Sequence, residues 1–455
     1  MILVYCNNIT PRQHYTFKQV FNQFLQVAYR MTSDETEFRN ANAFKINYST
    51  NRILESDFTV QPQGLLEGGS HWEKENSKIP FAVKNDEVKF FMYEPSSSTD
   101  PGFDVFSAVF WMLSRFEEYS VFRKFETDSH GRFTVQSSAY LSAFVQIPVV
   151  DAWCHDLKLR INKKFAGLVS DTPYKVINTI DVDNAYAYKG KNSSRQAGAF
   201  AKHFLKGQFE KIKARKKVLA GKEADPYDTY AYIRETAGKA GVETYFFHLV
   251  GKLSERDRNI SPDHPVYTNL LKELNSWSVQ GLHPSYLSNT QPEAILSEKK
   301  SIEKVLGIQV NNSRQHFLKL TFPHTYRNLA GAGIKTDFSL GFADQVGFRA
   351  GTGKPFYFYD IEQEKETGLL LQPLCVMDST LRDYMKLSPN EAIKTIQTLQ
   401  ERLKLYGSTY VAVWHNETLG NTNGWEGWKA VYESQFEGLV ANEKEPVTED
   451  QKNAK

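Results

Sequence analysis

The sequence predicts a parallel βα unit, open or barrel-shaped, preceded by a smaller and separate α/β domain. Three observations lead there. From residue 174 on, short apolar strand-like runs alternate with stretches of helical periodicity over about 250 residues. Those runs repeatedly end in Asp, His or Arg, and in folds of this kind chemistry sits at the carboxyl ends of strands. The stretch before residue 172 has its own alternation of strand-like and helical segments, with no catalytic constellation.

In chain order, Met1 to Cys6 reads as an N-terminal strand and 17–31 as a helix, with apolar residues at Phe17, Val20, Phe21, Phe24, Leu25 and Ala28. Residues 43–48 alternate like a strand. The runs 81–83 and 88–91 flank Lys84-Asn85-Asp86-Glu87 as a hairpin. Residues 104–119 form the most regular helix of this part, ending in an Arg115, Glu117, Glu118 group expected to be a structural ion-pair cluster. The boundary falls near Asp171-Thr172-Pro173. Beyond it, strands are expected at 175–180, 244–248, 281–283, 309–313, 369–374 and 410–414. Helices are expected at 265–280, 291–306, 323–330 and 389–406. An insertion at 192–226 interleaves lysines with Phe200, Phe204, Leu205, Phe209 and Ile212. It reads as a basic amphipathic helix or helix pair, either a solvated face or a peripheral contact with a membrane or an anionic phosphate group. Residues 443–455 are expected to be a disordered tail.

The 455 residues carry a formal net charge of +2, which gives no global argument for nucleic-acid binding. No apolar run is long enough to span a membrane. The start lacks the basic and apolar regions of a signal peptide, and Cys6, Cys154 and Cys375 fit neither a disulfide framework nor a metal motif. A cytoplasmic protein with reduced, buried cysteines is the expectation.

The centre of the chain is Lys175-Val176-Ile177-Asn178-Thr179-Ile180-Asp181-Val182-Asp183, a strand ending in two carboxylates. Alternate strand residues share a face, so both carboxylates can enter one site, one holding a metal and the other taking a proton from water. His248, His283, Arg314, His316 and His415 fall at or just beyond other strand ends. Each histidine alone is as readily a core residue. Together with the carboxylates they suit a hydrolytic site with a divalent ion such as zinc.

In this order the motifs resemble the polysaccharide deacetylase (NodB-like) family, over roughly Tyr174 to Trp428. Thr179-Ile180-Asp181-Val182-Asp183 resembles its first motif, Thr244-Tyr245-Phe246-Phe247 its aromatic strand, and His283-Pro284-Ser285 the start of its histidine motif. Arg314, Gly333-Ile334-Lys335-Thr336-Asp337-Phe338-Ser339 and Val413-Trp414-His415-Asn416 resemble the later ones. The run Gly347-Phe348-Arg349-Ala350-Gly351-Thr352 is similar to one in a subgroup with an uncharacterised N-terminal domain.

The resemblance implies a distorted NodB-like (β/α) barrel over 172–442 behind an α/β domain over 1–171. It implies Asp181 as base oriented by Arg314, Asp183 and His283 as metal ligands, and His415 as acid. Leu287 stands where the family has a second histidine. His316 is the first substitute for the third ligand and His248 the second, whereas His324 is expected to be a surface or packing residue. Tyr286, Phe317, Trp414, Asp337 and Arg349 are candidate substrate-facing residues. The expected activity is removal of an N-acetyl group from an amino sugar in a polysaccharide or glycolipid precursor, with zinc, cobalt or nickel as cofactor. The substrate would be a carbohydrate, free or linked to phosphate or lipid. The alternatives are hydrolysis of a cyclic imide or ureide, and an inactive carbohydrate-binding homologue.

Overall fold

The computed structural model describes residues 1–69, 74, 78–120, 125–422 and 424–439, so the expected tail at 443–455 lies outside the described residues. The N-terminal part opens with β1 (Ile2–Cys6), β2 (Tyr29–Thr32), β3 (Phe44–Tyr48) and β4 (Phe58–Val60), a parallel sheet in the order β2-β1-β3-β4. Between β1 and β2 the helix Pro11–Phe17 starts at a capping box formed by Thr10 and Gln13, with Pro at its first turn. It continues through Lys18–Phe24 and then breaks at Gln26, whose φ is 52°. The expected helix over 17–31 is therefore cut short, and Tyr29–Thr32 pairs with β1 instead.

The hairpin of β5 (Phe81–Lys84) and β6 (Glu87–Phe90) turns at Asn85 and Asp86, both with positive φ, as a tight two-residue turn requires. Helix Val105–Ser114 is buried along its whole length, which explains its apolar residues on every side.

The second sheet contains, among the described residues, nine strands. In chain order they are β7 (Lys175–Val182), β8 (Glu243–Leu249), β9 (Val279–His283), β10 (Asn312–Ser313), β11 (Thr336–Asp337), β12 (Phe356–Asp360), β13 (Lys365–Leu371), β14 (Val376–Met377) and β15 (Thr409–His415). Their order is β12-β13-β11-β10-β9-β8-β7-β15-β14, parallel throughout except for β12 against β13.

The expected distorted barrel does not close: β12 and β14 remain edges among the described residues. The chain itself joins β13, next to one edge, to β14 at the other edge. Leu374 N donates to Leu340 O at 3.1 Å and Cys375 N to Val411 O at 3.0 Å between the end of β13 and the start of β14. A link this short spans at most about 17 Å, so the sheet is curled rather than flat. Phe247, Phe338, Val411, Val413 and Met377 fill the inside of the curl, while Phe246, Tyr410, Ala412 and Trp414 pack outside with Leu271, Ile396 and other helix residues. Strands buried on both faces explain why their sequences read as continuous apolar runs.

The two parts share one core, in which Ile2, Phe44 and Phe106 cluster with Leu282, Phe358 and Leu371. The Gly347–Thr352 run lies on this contact. Gly347 has φ +136°, and a Cβ there would stand 2.3 Å from Val145 O. Phe348 N donates to Val145 O at 2.7 Å. Buried Glu118 accepts from Arg115 Nε at 2.8 Å and from Arg349 Nε at 2.9 Å. Arg349, expected to face substrate, is thus a clamp between the two parts of the chain. The cysteines are free and buried. No helix among the described residues is long and apolar enough to cross a membrane.

Candidate active site

Register decides which polar strand ends meet. Asp181 lies beside Phe247 on one neighbour and His415 on the other, all directed into the curl. Asp183 continues on that side, and His283 enters from β9. Arg314 follows β10 immediately, its N–H bonded to Leu282 O at 3.0 Å. Its guanidinium is fully buried, donating from Nη1 to Asp181 Oδ1 and from Nη2 to Thr179 Oγ1, both at 2.8 Å, while lying 4.5 Å over the Phe247 ring. Removing one partner of such a buried pair typically costs about 3–5 kcal/mol.

Asp183, His283 and His316 each place a potential ligand atom within 4.8 Å of the others. His283 Nε2 is 3.2 Å from Asp183 Oδ1, and His316 Nε2 is 3.4 Å from Asp183 Oδ2. His415 Nε2 stands 3.8 Å from the same Oδ2. The opposite ring nitrogens are all engaged. Nδ1–H of His283 donates to Arg314 O, that of His316 to Asp257 Oδ1 at 3.0 Å, and that of His415 to Asp378 Oδ1 at 2.9 Å. Asp378 is fixed in turn by His415 N at 2.9 Å and Thr418 Oγ1 at 2.7 Å.

These partners leave Nε2 as the only free ring nitrogen, aimed at carboxylate oxygens that also carry lone pairs. Only a proton or a cation makes that juxtaposition favourable. Asp183 Oδ1 is buried without a hydrogen-bond partner. Two imidazoles and a carboxylate form a donor set suited to zinc, cobalt or nickel, and the residues fit such an ion.

Without an ion, protons take its place. Burial pulls the His316 imidazolium down, but the Asp183 charge and hydrogen bonds to Asp183 and Asp257 lift it to about 9. Burial likewise opposes the charged form of His415, and Asp378 and Asp183 outweigh it, raising it well above the usual histidine range. Asp183 resists burial through His316 and His283 and stays well below the usual carboxylate range.

The centre lies in a cleft made of two hollows of about 400 and 350 Å³ that share Asp183, Ser379, Asp383 and His415. Phe317 lines the first. Arg132, from the N-terminal part, lines it too and donates to Phe317 O and to Tyr384 Oη, both at 2.9 Å. Phe317 and Leu318 hold left-handed backbone, φ 62° and 51°, which is rare for bulky residues and here turns His316 toward the centre.

Five expected site residues fall elsewhere. His248 pairs in register with Val182, so it points outside the curl, where Tyr267 Oη and Gln280 Oε1 occupy both ring nitrogens. Trp414 points outward by the same alternation and donates to Gln435 Oε1 at 3.2 Å. Asp337 is buried between Ser313 Oγ and Ser339 Oγ, each at 2.8 Å, and ties two loops together. Arg349 is spent on Glu118. Tyr286 packs edge-on against Phe317 at 5.3 Å and under Arg256 at 4.3 Å, beside rather than within the residues lining the hollow.

Sequence reasoning missed Asp257, Asp378 and Arg132. Asp378 had a signal, because Val376-Met377-Asp378 is itself a short apolar run ending in a carboxylate. Asp257 and Arg132 stand in loops and reach the site only through the fold.

A family model, a family of unknown function (DUF7033), matches residues 2–166. Comparison with curated proteins gives no match. Among solved structures, a candidate polysaccharide deacetylase from Mycobacterium smegmatis superposes with TM-score 0.39 at 15% identity, over 58% of this chain and 83% of that one. IcaB from Ammonifex degensii gives TM-score 0.21 at 14% identity, over 37% of this chain and 85% of that one. Likenesses this low carry neither fold nor activity across, so the reading of the site rests on its own geometry.

Proposed function

We propose that the chain is a metal-assisted hydrolase that removes the N-acetyl group from an amino sugar in a polysaccharide or glycolipid precursor. One observation carries the reading: the half-buried Asp183 carboxylate, with its buried Oδ1 unpartnered, faces two imidazoles whose other nitrogens are already bonded. Asp183, His283 and His316 would hold the ion. When bound, a divalent ion lowers the pKa of a water toward ~7 and polarises the amide carbonyl.

The remaining steps belong to the protein. Asp181 keeps Oδ1 on Arg314 and turns Oδ2 toward the centre, 3.7 Å from His283 Nε2, placed to take a proton from the attacking water. His415, whose protonated form the Asp378 carboxylate favours, gives a proton from Nε2 to the departing amine. The cleft, two adjoining hollows of about 400 and 350 Å³ that share Asp183 and His415, suits an extended sugar better than a small cyclic imide.

The test joins metal content with acetate release. Purified protein is expected to retain zinc, cobalt or nickel after dialysis, and to lose it in His283→Ala and His316→Ala. Acetate release from N-acetylated amino sugars should fall at least ~100-fold in Asp181→Asn with metal retained. Failure to bind any of the three ions, or unchanged release in Asp181→Asn, sinks the proposal.

A further inference from the structure

The expected basic insertion is a helical hairpin, Ser193–Leu205 and Phe209–Leu219. It stands out from the body, for Ser193–Leu205 contains no buried residue. At its turn Phe204, Leu205 and Phe209 are 64%, 84% and 60% exposed, with the two Phe rings edge-on at 5.9 Å. Three large apolar side chains at a tip cost solvation unless something covers them. Around them are Lys202, Lys206, Lys211 and Lys213. Residues 192–224 hold nine Lys and Arg against two Glu, a surplus larger than the +2 of the entire chain.

The base, by contrast, is fixed. Asp225 accepts from the backbone N–H groups of Ala187, Tyr188 and Lys189 at 2.7, 2.8 and 3.1 Å, closing the hairpin onto the loop that follows Asp183. Arg215 is buried over the Tyr188 ring at 4.6 Å and donates to Gln196 Oε1. Tyr227, just past Asp225, lines the second hollow with Asp183 and His415. The hairpin is a projection rooted at its base in the cleft wall, apolar at its tip and cationic on its flanks.

We propose that this hairpin is a peripheral anchor whose Phe204, Leu205 and Phe209 enter the interface of an anionic bilayer while its lysines hold the phospholipid headgroups. Charge selects this occupant. An apolar partner protein has no need of a cationic collar, and a soluble polyanion has no use for three exposed apolar side chains. The apolar insertion and the electrostatic attraction together form the two-part signal that stable but reversible membrane binding requires. This anchoring does not depend on the proposed deacetylase reaction. Together with that reaction it directs the cleft toward substrates carried on a lipid.

The full chain is mixed with vesicles of phosphatidylcholine alone, and of phosphatidylcholine with phosphatidylglycerol, and sedimented at low and high salt. Binding is expected only to the anionic vesicles, weakening as salt rises. Replacing Phe204, Leu205 and Phe209 together by Ser should weaken it at least about tenfold with an unchanged unfolding midpoint, since these positions pack little in the fold. As the native cysteines are buried, Phe204→Cys can be labelled selectively with an environment-sensitive fluorophore, and its emission should shift to the blue on the anionic vesicles. Absence of binding to either vesicle overturns the proposal, as does binding that survives the triple Ser change. A vesicle-free dimer that the triple change converts to monomer also overturns it, by assigning the tip to a second copy of the chain.

Discussion

Asp257 shows how much of the candidate site depends on residues that would touch no metal. Its carboxylate accepts Nδ1–H of His316, and also Tyr286 N at 2.9 Å and Ser254 Oγ at 2.9 Å, so the imidazole is oriented and made more basic by a carboxylate that is itself pinned. Asp257→Asn is expected to weaken metal affinity about 10–100-fold, read by competition with a chelator, while thermal unfolding of the ion-free chain changes far less. An affinity equal to the wild type would show that His316 is oriented without it. Because His316 holds its proton up to about 9 in the ion-free chain, loading an ion at neutral pH must release that proton. Apparent affinity should therefore rise roughly tenfold per pH unit toward 9 and level off above it. Calorimetric titrations in buffers of different ionisation enthalpy would detect the released proton.

At the scale of elements, three strands of the sheet, β10, β11 and β14, are only two residues long, yet β10 and β11 carry Arg314 and the loop beside it. Asp337 compensates by accepting Ser313 Oγ, Ser339 Oγ and Ser339 N across the two strand ends. Burial raises its carboxyl to about 6, although hydrogen bonds from Ser339 and Ser313 oppose that rise. The folded pKa lies above the unfolded one, so the protonated form is the one the fold prefers. Its relative stability is greatest below the unfolded value of 3.8 and is lost as pH rises through about 6, at a cost of order 3 kcal/mol by neutral pH. Asp337→Asn removes this titration. The urea midpoint of the variant relative to wild type should therefore move in the variant's favour between pH 4 and 7, roughly following that titration. A difference that stays flat with pH would mean that Asp337 is charged throughout.

For the whole molecule, the N-terminal part is a wall of the cleft as well as a neighbour. Arg132, within the matched family segment, bonds the backbone of Phe317 and the hydroxyl of Tyr384 and is itself held by Asp128 at 2.7 Å. It thereby clamps the left-handed turn that presents His316. Arg132→Ala should lower metal affinity about tenfold, and Arg132→Lys should recover only part, because an ammonium lacks the planar fork that reaches two acceptors at once. Isothermal titration with zinc checks both. Wild-type affinity in Arg132→Ala would show that the turn holds its own shape.

Several features were legible in the sequence because they are local. The apolar run ending in Asp181 and Asp183 specifies a strand with two carboxylates on one face, and the Lys-rich interleaved stretch specifies amphipathic helices. Strand ends at His283, Arg314 and His415 follow from the same alternation. What tertiary structure alone decided was which of these ends share a face. In a sheet buried on both sides both faces of a strand are largely apolar, so alternation within one strand does not say which side is the inside of the curl. Register supplies that and sends His248 and Trp414 outward, while the left-handed turn after His316 brings that ring in. The place of Arg349 and the Gly347–Thr352 run was likewise invisible, because their partners Glu118 and Val145 lie some two hundred residues away along the chain. The sequence by itself determined the carboxylate pair and the chemistry it could support. The long-range pairing of strands and loops determined that His316 joins Asp183 and His283, because a contact between residues distant in the chain leaves no period in the sequence to read.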